Sequence, residues 1–295
     1  MNAMTQQIEP VRIHARAMLV NLNVSQWTAR KTDRKATKDV NTSNQVVSTQ
    51  GAYYKSLVEG GALDDIKALV NTARAEHYKR TLPWSDNGPR ILSNFGYMDY
   101  ITKMNGYADQ FDSLVNVFLQ EYPLMRQEAR RLLGALFEDN DYPTVGAVHC
   151  KFNFKVSVSP LPMGEDFRCD LGVEEVDRIR EEISQGTALA LQQAQRDAFE
   201  RVEKVVNSYI ERLGNPDNKF RDSLVDNARE LADLLPALNI INNPLLADLA
   251  DSLRDKLCAH EPSVLREDPL SRQETFMAAK SMHKDIMDFF SGEMQ

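Results

Sequence analysis

The sequence predicts a mainly α-helical fold, with long antiparallel helices of coiled-coil character and a small antiparallel β-sheet of two or three strands. Three observations carry this prediction. Apolar residues recur at steps of three and four along two long stretches, about 98–138 and 172–213. Between them, Cys150-Lys-Phe-Asn-Phe-Lys-Val-Ser-Val158 alternates strictly, as a half-buried strand does. Beyond Leu213, Pro236, Pro244, Pro262 and Pro269 cut the chain into helix-sized pieces.

Residues 17–27 read as the first strand. Met18, Val20, Leu22 and Val24 fall on one face, and Leu19, Asn21, Asn23, Ser25 and Trp27 on the other. The segment that follows, to about residue 60, is polar and reads as helical with breaks at Gly51 and Gly60-Gly61. Leu63, Ile66, Val70, Ala73 and His77 then mark a helix over 62–80, closed by the turn cluster 81–90. The helix over 98–138 places Phe111, Leu114, Phe118, Tyr122, Met125, Ala129, Leu132 and Leu136 on one stripe, with Pro123 as an expected kink or break.

In the strand at 150–158, Phe152, Phe154, Val156 and Val158 share one face, and Lys151, Asn153, Lys155 and Ser157 the other. A turn at Pro160–Gly164 and renewed alternation over Phe167–Leu171 predict an antiparallel hairpin at about 150–171, with the 17–27 strand as a third member. Gly172 opens the second long helix, whose stripe Leu191, Ala194, Ala198, Val202, Val205, Tyr209 has bundle spacing. Further helices are expected near 218–236, 244–259 and 270–291. The domain reading is a flexible N-terminus (1–16), an elongated helical domain with the inserted hairpin (17–213), and a C-terminal helical subdomain (214–295).

Composition removes several function classes. A net charge of −8 over 295 residues provides no global attraction to nucleic acid or anionic lipid, so such binding needs a local patch. Three scattered cysteines, Cys150, Cys169 and Cys258, form no disulfide framework and fit a reducing compartment. No apolar run approaches the ~20 residues that span a bilayer, and the polar N-terminus lacks a signal-peptide core. A cytoplasmic, membrane-free protein is the expectation.

No Walker loop, dinucleotide fingerprint, zinc spacing or nucleophile elbow is present in the sequence. No catalytic residue, metal site or cofactor is therefore assigned. Cys150 and Cys169 share the apolar phase of their predicted strands and read as small core residues. His77 reads as a core histidine.

Two segments stand out as contact surfaces. Trp27, Arg30, Lys31, Arg34, Lys35 and Lys38 combine an indole with five cations against Asp33 alone. That pattern suits phosphate contacts with a base stacked on the indole. Lys151 and Lys155 on the wet face of the hairpin extend it; edge-strand protection is the plainer reading of both. Trp84, Asp86 and Arg90 in the loop Pro83-Trp-Ser-Asp-Asn-Gly-Pro-Arg90 form a second candidate interaction surface. There the plainer reading is a rigid connector whose Trp84 plugs the core.

Three stretches carry a resemblance: Leu19-Val-Asn-Leu-Asn-Val-Ser-Gln-Trp-Thr-Ala-Arg-Lys-Thr-Asp-Arg-Lys35, His77-Tyr-Lys-Arg-Thr-Leu-Pro-Trp-Ser-Asp-Asn-Gly88 and Phe220-Arg-Asp-Ser-Leu-Val-Asp-Asn-Ala-Arg-Glu-Leu231. Together they resemble an uncharacterised protein family of tailed bacteriophages and mobile elements, over about residues 15–260. The resemblance implies expression in the cytoplasm of a bacterial host and transfers no activity or site.

The expected role is a non-enzymatic phage-type interaction or assembly protein. It would self-associate through its long helices or bind a phage or host protein. The alternative is a single-stranded DNA-binding or annealing accessory of phage replication or recombination.

Overall fold

The structure is a computed structural model and describes residues 13–46, 51–85, 88–215 and 217–293. Its elements in chain order are β1 (Ala17–Ser25), β2 (Arg30–Thr32), α1 (Arg34–Ser43), β3 (Tyr54–Ser56), α2 (Asp64–Arg80), β4 (Leu82–Pro83) and β5 (Arg90–Ser93). Then come α3 (Tyr97–Leu133), α4 (Val145–His149), β6 (Asn153–Ser159), α5 (Val173–Leu213), α6 (Ser223–Leu238), α7 (Pro244–Ser252), α8 (Pro262–Glu267) and α9 (Pro269–Glu293). The fold is mainly helical, with a four-stranded sheet of order β4-β5-β1-β6 and a two-stranded ribbon β2-β3. The β1–β5, β4–β5 and β2–β3 pairings are antiparallel.

The sheet differs from the expected hairpin. β6 is the predicted alternating strand, but its neighbour is β1, and residues 167–171 form no strand. After β6 the chain is held along α5 instead of returning. Leu161 is buried, Thr187 Oγ1 donates to the Pro162 carbonyl at 3.2 Å, and Arg180 Nη2 donates to the Phe167 carbonyl at 3.4 Å. At Gly164 an added Cβ would stand 2.5 Å from the Arg180 carbonyl oxygen, so only glycine permits this approach.

The described residues divide between two compact units. One comprises the described residues up to Asn21, those of Tyr78–Tyr100 and those from Val158 on, and the other those of Leu22–His77 and Ile101–Ser157. In the first unit, α5, α6, α7 and α9 share one core with β4 and β5. The predicted α5 stripe is buried at Leu191, Ala194, Ala198 and Val202, then shifts from Val205 to Val206 before Tyr209. A 3.6-residue helix drifts away from a 3.5-residue pattern in this way. Phe199 stacks on Phe289 at 3.9 Å, and the Tyr209 hydroxyl donates to the Leu257 carbonyl at 3.1 Å. The seam expected to serve self-association is therefore filled by helices of the same chain.

In the second unit the α3 stripe does the same work. Phe111, Phe118, Tyr122 and Ala129 are buried with Trp27, Leu63, Ile66, Val70, Tyr142 and Val148. Phe152, just before β6, and Phe154 within it pack on Phe111 at 6.3 and 5.7 Å between ring centroids. α3 runs through Pro123 without ending. His77 is buried, as its helical phase predicts. Cys150 and Cys169 are exposed, contrary to the core reading. The reason is that β6 begins only at Asn153 and no strand forms around Cys169, so strand phase does not apply to either.

Candidate nucleic-acid interface

The basic segment begins inside the second unit, and its first residue is not available to a ligand. Trp27 is 9% exposed, with Phe118 at 6.2 Å and Tyr122 at 5.5 Å in edge-to-face contact. The expected stacking of a base on this indole is corrected: the ring belongs to the core. Two residues on, Ala29 turns the chain with φ +50°, a left-handed conformation rare for alanine, and its carbonyl accepts the Leu57 N–H at 2.7 Å.

This reversal pairs β2 with β3 in a register that sorts the next side chains. Arg30 faces Ser56, Lys31 faces Lys55, and Thr32 faces Tyr54. Successive strand residues point to opposite sides, so Lys31 and Lys55 share one face, and Arg30, Thr32, Tyr54 and Ser56 the other.

The first face is committed to structure. The Lys55 side chain is 2% exposed; its Nζ lies 2.6 Å from Asp141 Oδ2 and 3.1 Å from Asp33 Oδ2, and donates to the Leu136 carbonyl at 2.7 Å. Lys31 pairs with the other oxygen of Asp141. Two ammonium groups thus balance two carboxylates. Burial alone would lower the Lys55 pKa, yet Asp141 and Asp33 raise it above the ordinary lysine value. Burial likewise opposes ionisation of Asp141, and hydrogen bonds from Lys31 and Lys55 outweigh it, holding that carboxyl below its ordinary value. The Ala36 amide and then Lys55 lower Asp33. The same Asp33 caps α1, accepting the Ala36 N–H at 2.9 Å. Lys31, expected to grip phosphate, is therefore already engaged.

The other face is open. Arg30, Arg34, Lys35 and Lys38 are exposed, and none makes an ion pair among the described residues. Arg34 and Lys38 lie ~160° around α1 from its buried Ala36, on the outermost line of the helix. Arg34 and Lys35 occupy the first turn, where no acidic residue stands. Cations there oppose the helix dipole, costing a few tenths of a kcal/mol each. Tyr54, diagonal to Arg30 across the ribbon, is 62% exposed.

Lys155 is exposed on β6, on the face opposite Phe154, as the alternation predicts, while Lys151, also exposed, lies in the turn before β6, outside the strand predicted to carry it. No hydrogen bond or ion pair among the described residues joins them to β2 or α1.

The second predicted surface belongs to the first unit, and its two described members support the chain. Trp84 is half-buried against the core. Arg90 Nε donates to Thr81 Oγ1 at 2.7 Å and Nη2 to the Thr81 carbonyl at 3.1 Å, while the guanidinium lies 4.7 Å over the Tyr78 ring. Arg201 fastens the same turn through the carbonyls of Tyr78, Lys79 and Thr81, at 3.2, 2.7 and 2.8 Å. The connector reading fits Trp84 and Arg90; Asp86 lies outside the described residues.

A cleft of about 360 Å³ in the second unit is lined by Tyr122, Arg126, Arg130, Phe137 and Asp139 among others. Both guanidiniums are occupied by Asp139, at 3.0 and 2.7 Å. Among the described residues no group of three or more His, Cys, Asp or Glu side chains could hold a metal ion. Cys258 is half-buried, and that burial pushes its thiol up to about 11, away from the nucleophilic thiolate. No described helix is long and apolar enough to cross a membrane.

Sequence reasoning missed Lys55, Asp141 and Tyr54. The alternation Tyr54-Lys55-Ser56 is too short to announce a strand, and the partners of Lys55 stand 22 and 86 positions away. Comparison with protein-family models, curated proteins and solved structures finds no match.

Proposed function

We propose that this chain is a non-enzymatic binding protein of a tailed phage or mobile element, and that it contacts single-stranded nucleic acid through α1 and the open face of the β2–β3 ribbon. One observation carries the reading. In a chain of net charge −8, four exposed cations fall between residues 30 and 38 without ion-pair partners among the described residues, two of them where they weaken their own helix. A local rule broken without structural return is the usual mark of a functional site. Four phosphate contacts to a single strand give a log–log salt slope near −3. A labelled oligonucleotide titrated between 50 and 200 mM salt should lose roughly fifty-fold in affinity. Reversing Arg30, Arg34, Lys35 and Lys38 to Glu should abolish binding in a folded protein. No binding by wild type at low salt would sink the reading.

A second reading, self-association into an assembly, is favoured by a different observation. Val117, Leu124 and Leu132 are 52%, 67% and 59% exposed and fall within about 80° of one another around α3. Light scattering tests it: a dimer has twice the 33.5 kDa mass of the chain, and Leu124→Glu should return it to one. A wild-type protein already at the monomer mass would end this reading.

A further inference from the structure

We infer that Tyr54 is the base-stacking residue of this surface, so that the ligand is an unpaired strand whose bases are accessible, in place of a duplex. The inference rests on the nucleic-acid reading and adds to it the group that contacts bases.

The register places Tyr54 on the same side of the ribbon as Arg30, directly across from Thr32. A diagonal neighbour on an antiparallel pair lies ~7–8 Å away, within reach of an arginine side chain. At 62% exposure the ring serves no core, while the adjacent Lys55 is buried beneath it. The platform is fixed. Lys55 ties β3 to Asp33, Asp141 and Leu136, the Tyr53 N–H donates to Thr37 Oγ1 at 2.9 Å, and the Asp33 N–H donates to the Tyr53 carbonyl at 2.9 Å. With the backbone that presents the ring held, only its two side-chain torsions are left to order when a base settles on it.

The chemistry selects the occupant. Arg30, Thr32 and Ser56 share the ring's face, so no carboxylate of the ribbon stands there. Asp33, the acid nearest in sequence, is turned into the Lys55 cluster. A flat aromatic with Arg30 as its diagonal neighbour, and with hydroxyls and no acid on its face of the ribbon, suits a π-faced base on a polyanionic backbone. Duplex DNA offers the same phosphates with its bases already stacked, so Tyr54 gains nothing from it.

The experiment compares two strands of equal length and charge, oligo-dT and an abasic homologue, bound by wild type, Tyr54→Ala, Tyr54→Phe and the Arg34→Glu/Lys38→Glu double variant. Wild type should prefer dT over the abasic strand by about tenfold. Tyr54→Ala should lose that preference and keep the abasic affinity, while Tyr54→Phe, which keeps the ring, should retain it. Thermal melts of each variant exclude unfolding as the cause. If Tyr54→Ala binds dT as tightly as wild type, or weakens on both strands alike, the stacking assignment is overturned. The charge-reversal variant then shows whether the cationic reading survives without it. If wild type binds neither strand at low salt, both fall together. A parallel titration with oligo-U identifies the sugar that the surface accepts, and the Tyr54 effect is expected with whichever strand binds.

Discussion

The two faces of the β2–β3 ribbon are assembled from the same few residue types and end with opposite roles. On one, Lys31 and Lys55 meet Asp33 and Asp141 in a neutral cluster around a 2% exposed lysine side chain. On the other, Arg30 is the diagonal neighbour of an exposed Tyr54, and the exposed Arg34, Lys35 and Lys38 follow in sequence on α1. Neighbours in sequence are therefore poor guides to role: Arg30 and Lys31 differ by one position and by everything that surrounds them. Strand phase decides between them, because a one-residue step moves a side chain to the other face. A lysine that reaches a buried carboxylate becomes structure; one that does not is left to the solvent or to a ligand.

If the first face is structural, damage there should unfold the protein before it weakens binding. The largest effect is expected from Trp27→Ala, which empties a site among Phe118 and Tyr122 and should lower stability by about 4 kcal/mol in urea denaturation. Trp27→Phe should bind oligonucleotide as wild type does, and reduced affinity in that folded variant would return the indole to the ligand side. Next is Lys55→Met, which leaves Asp33 without its cation and Asp141 with Lys31 alone, so that the two carboxylates repel, and should cost about 3 kcal/mol. Adding Asp33→Asn and Asp141→Asn removes that repulsion while asparagine preserves the helix cap, so much of the loss should be recovered.

The cluster also fixes the sign of a pH dependence. Asp33 and Asp141 sit below their ordinary 3.8, so what they contribute is fully present above that value and lost as pH falls through their lowered folded values. Lys55 sits above its ordinary 10.5, so its contribution is present below that and lost as pH rises past it. The stability gap between wild type and Lys55→Met should be flat between these limits and narrow beyond either. A gap that persists unchanged into strong acid would place the stabilisation outside the ion cluster.

The long elements were legible because their signal is distributed. α2, α3, α5, α6 and α9 each repeat an apolar stripe over several turns, and β1 and β6 alternate over most of their length. Single residues carried less. The alternation at Phe167–Leu171 resembles a strand, but Gly164 lets the preceding turn close on α5 and the partner strand is lost to it. Trp27 and Arg90 carry chemistry that reads as functional, and which side of a core they meet is settled by residues far along the chain: Phe118 and Tyr122 for one, Tyr78 and Thr81 for the other. The exposed cations were found by composition alone, since Arg34, Lys35 and Lys38 need no partner to be recognised. Tyr54 was not, because its importance depends on a register that three residues of strand do not reveal.

The smallest expected effect on stability separates the faces most sharply. Arg34 and Lys35 occupy the first turn of α1, where the helix dipole favours acids. Their replacement by glutamate should leave folding unchanged or raise it by a few tenths of a kcal/mol, while oligonucleotide binding collapses. A structural cation behaves in the opposite way, since losing Lys55 damages the fold directly. If Arg34→Glu/Lys35→Glu lowers stability by more than about 1 kcal/mol, those residues hold partners in the folded protein and the open face is no different in kind from the closed one. If stability rises as binding disappears, the helix carries its two unfavourable charges for a ligand, because nothing in its own folding requires them.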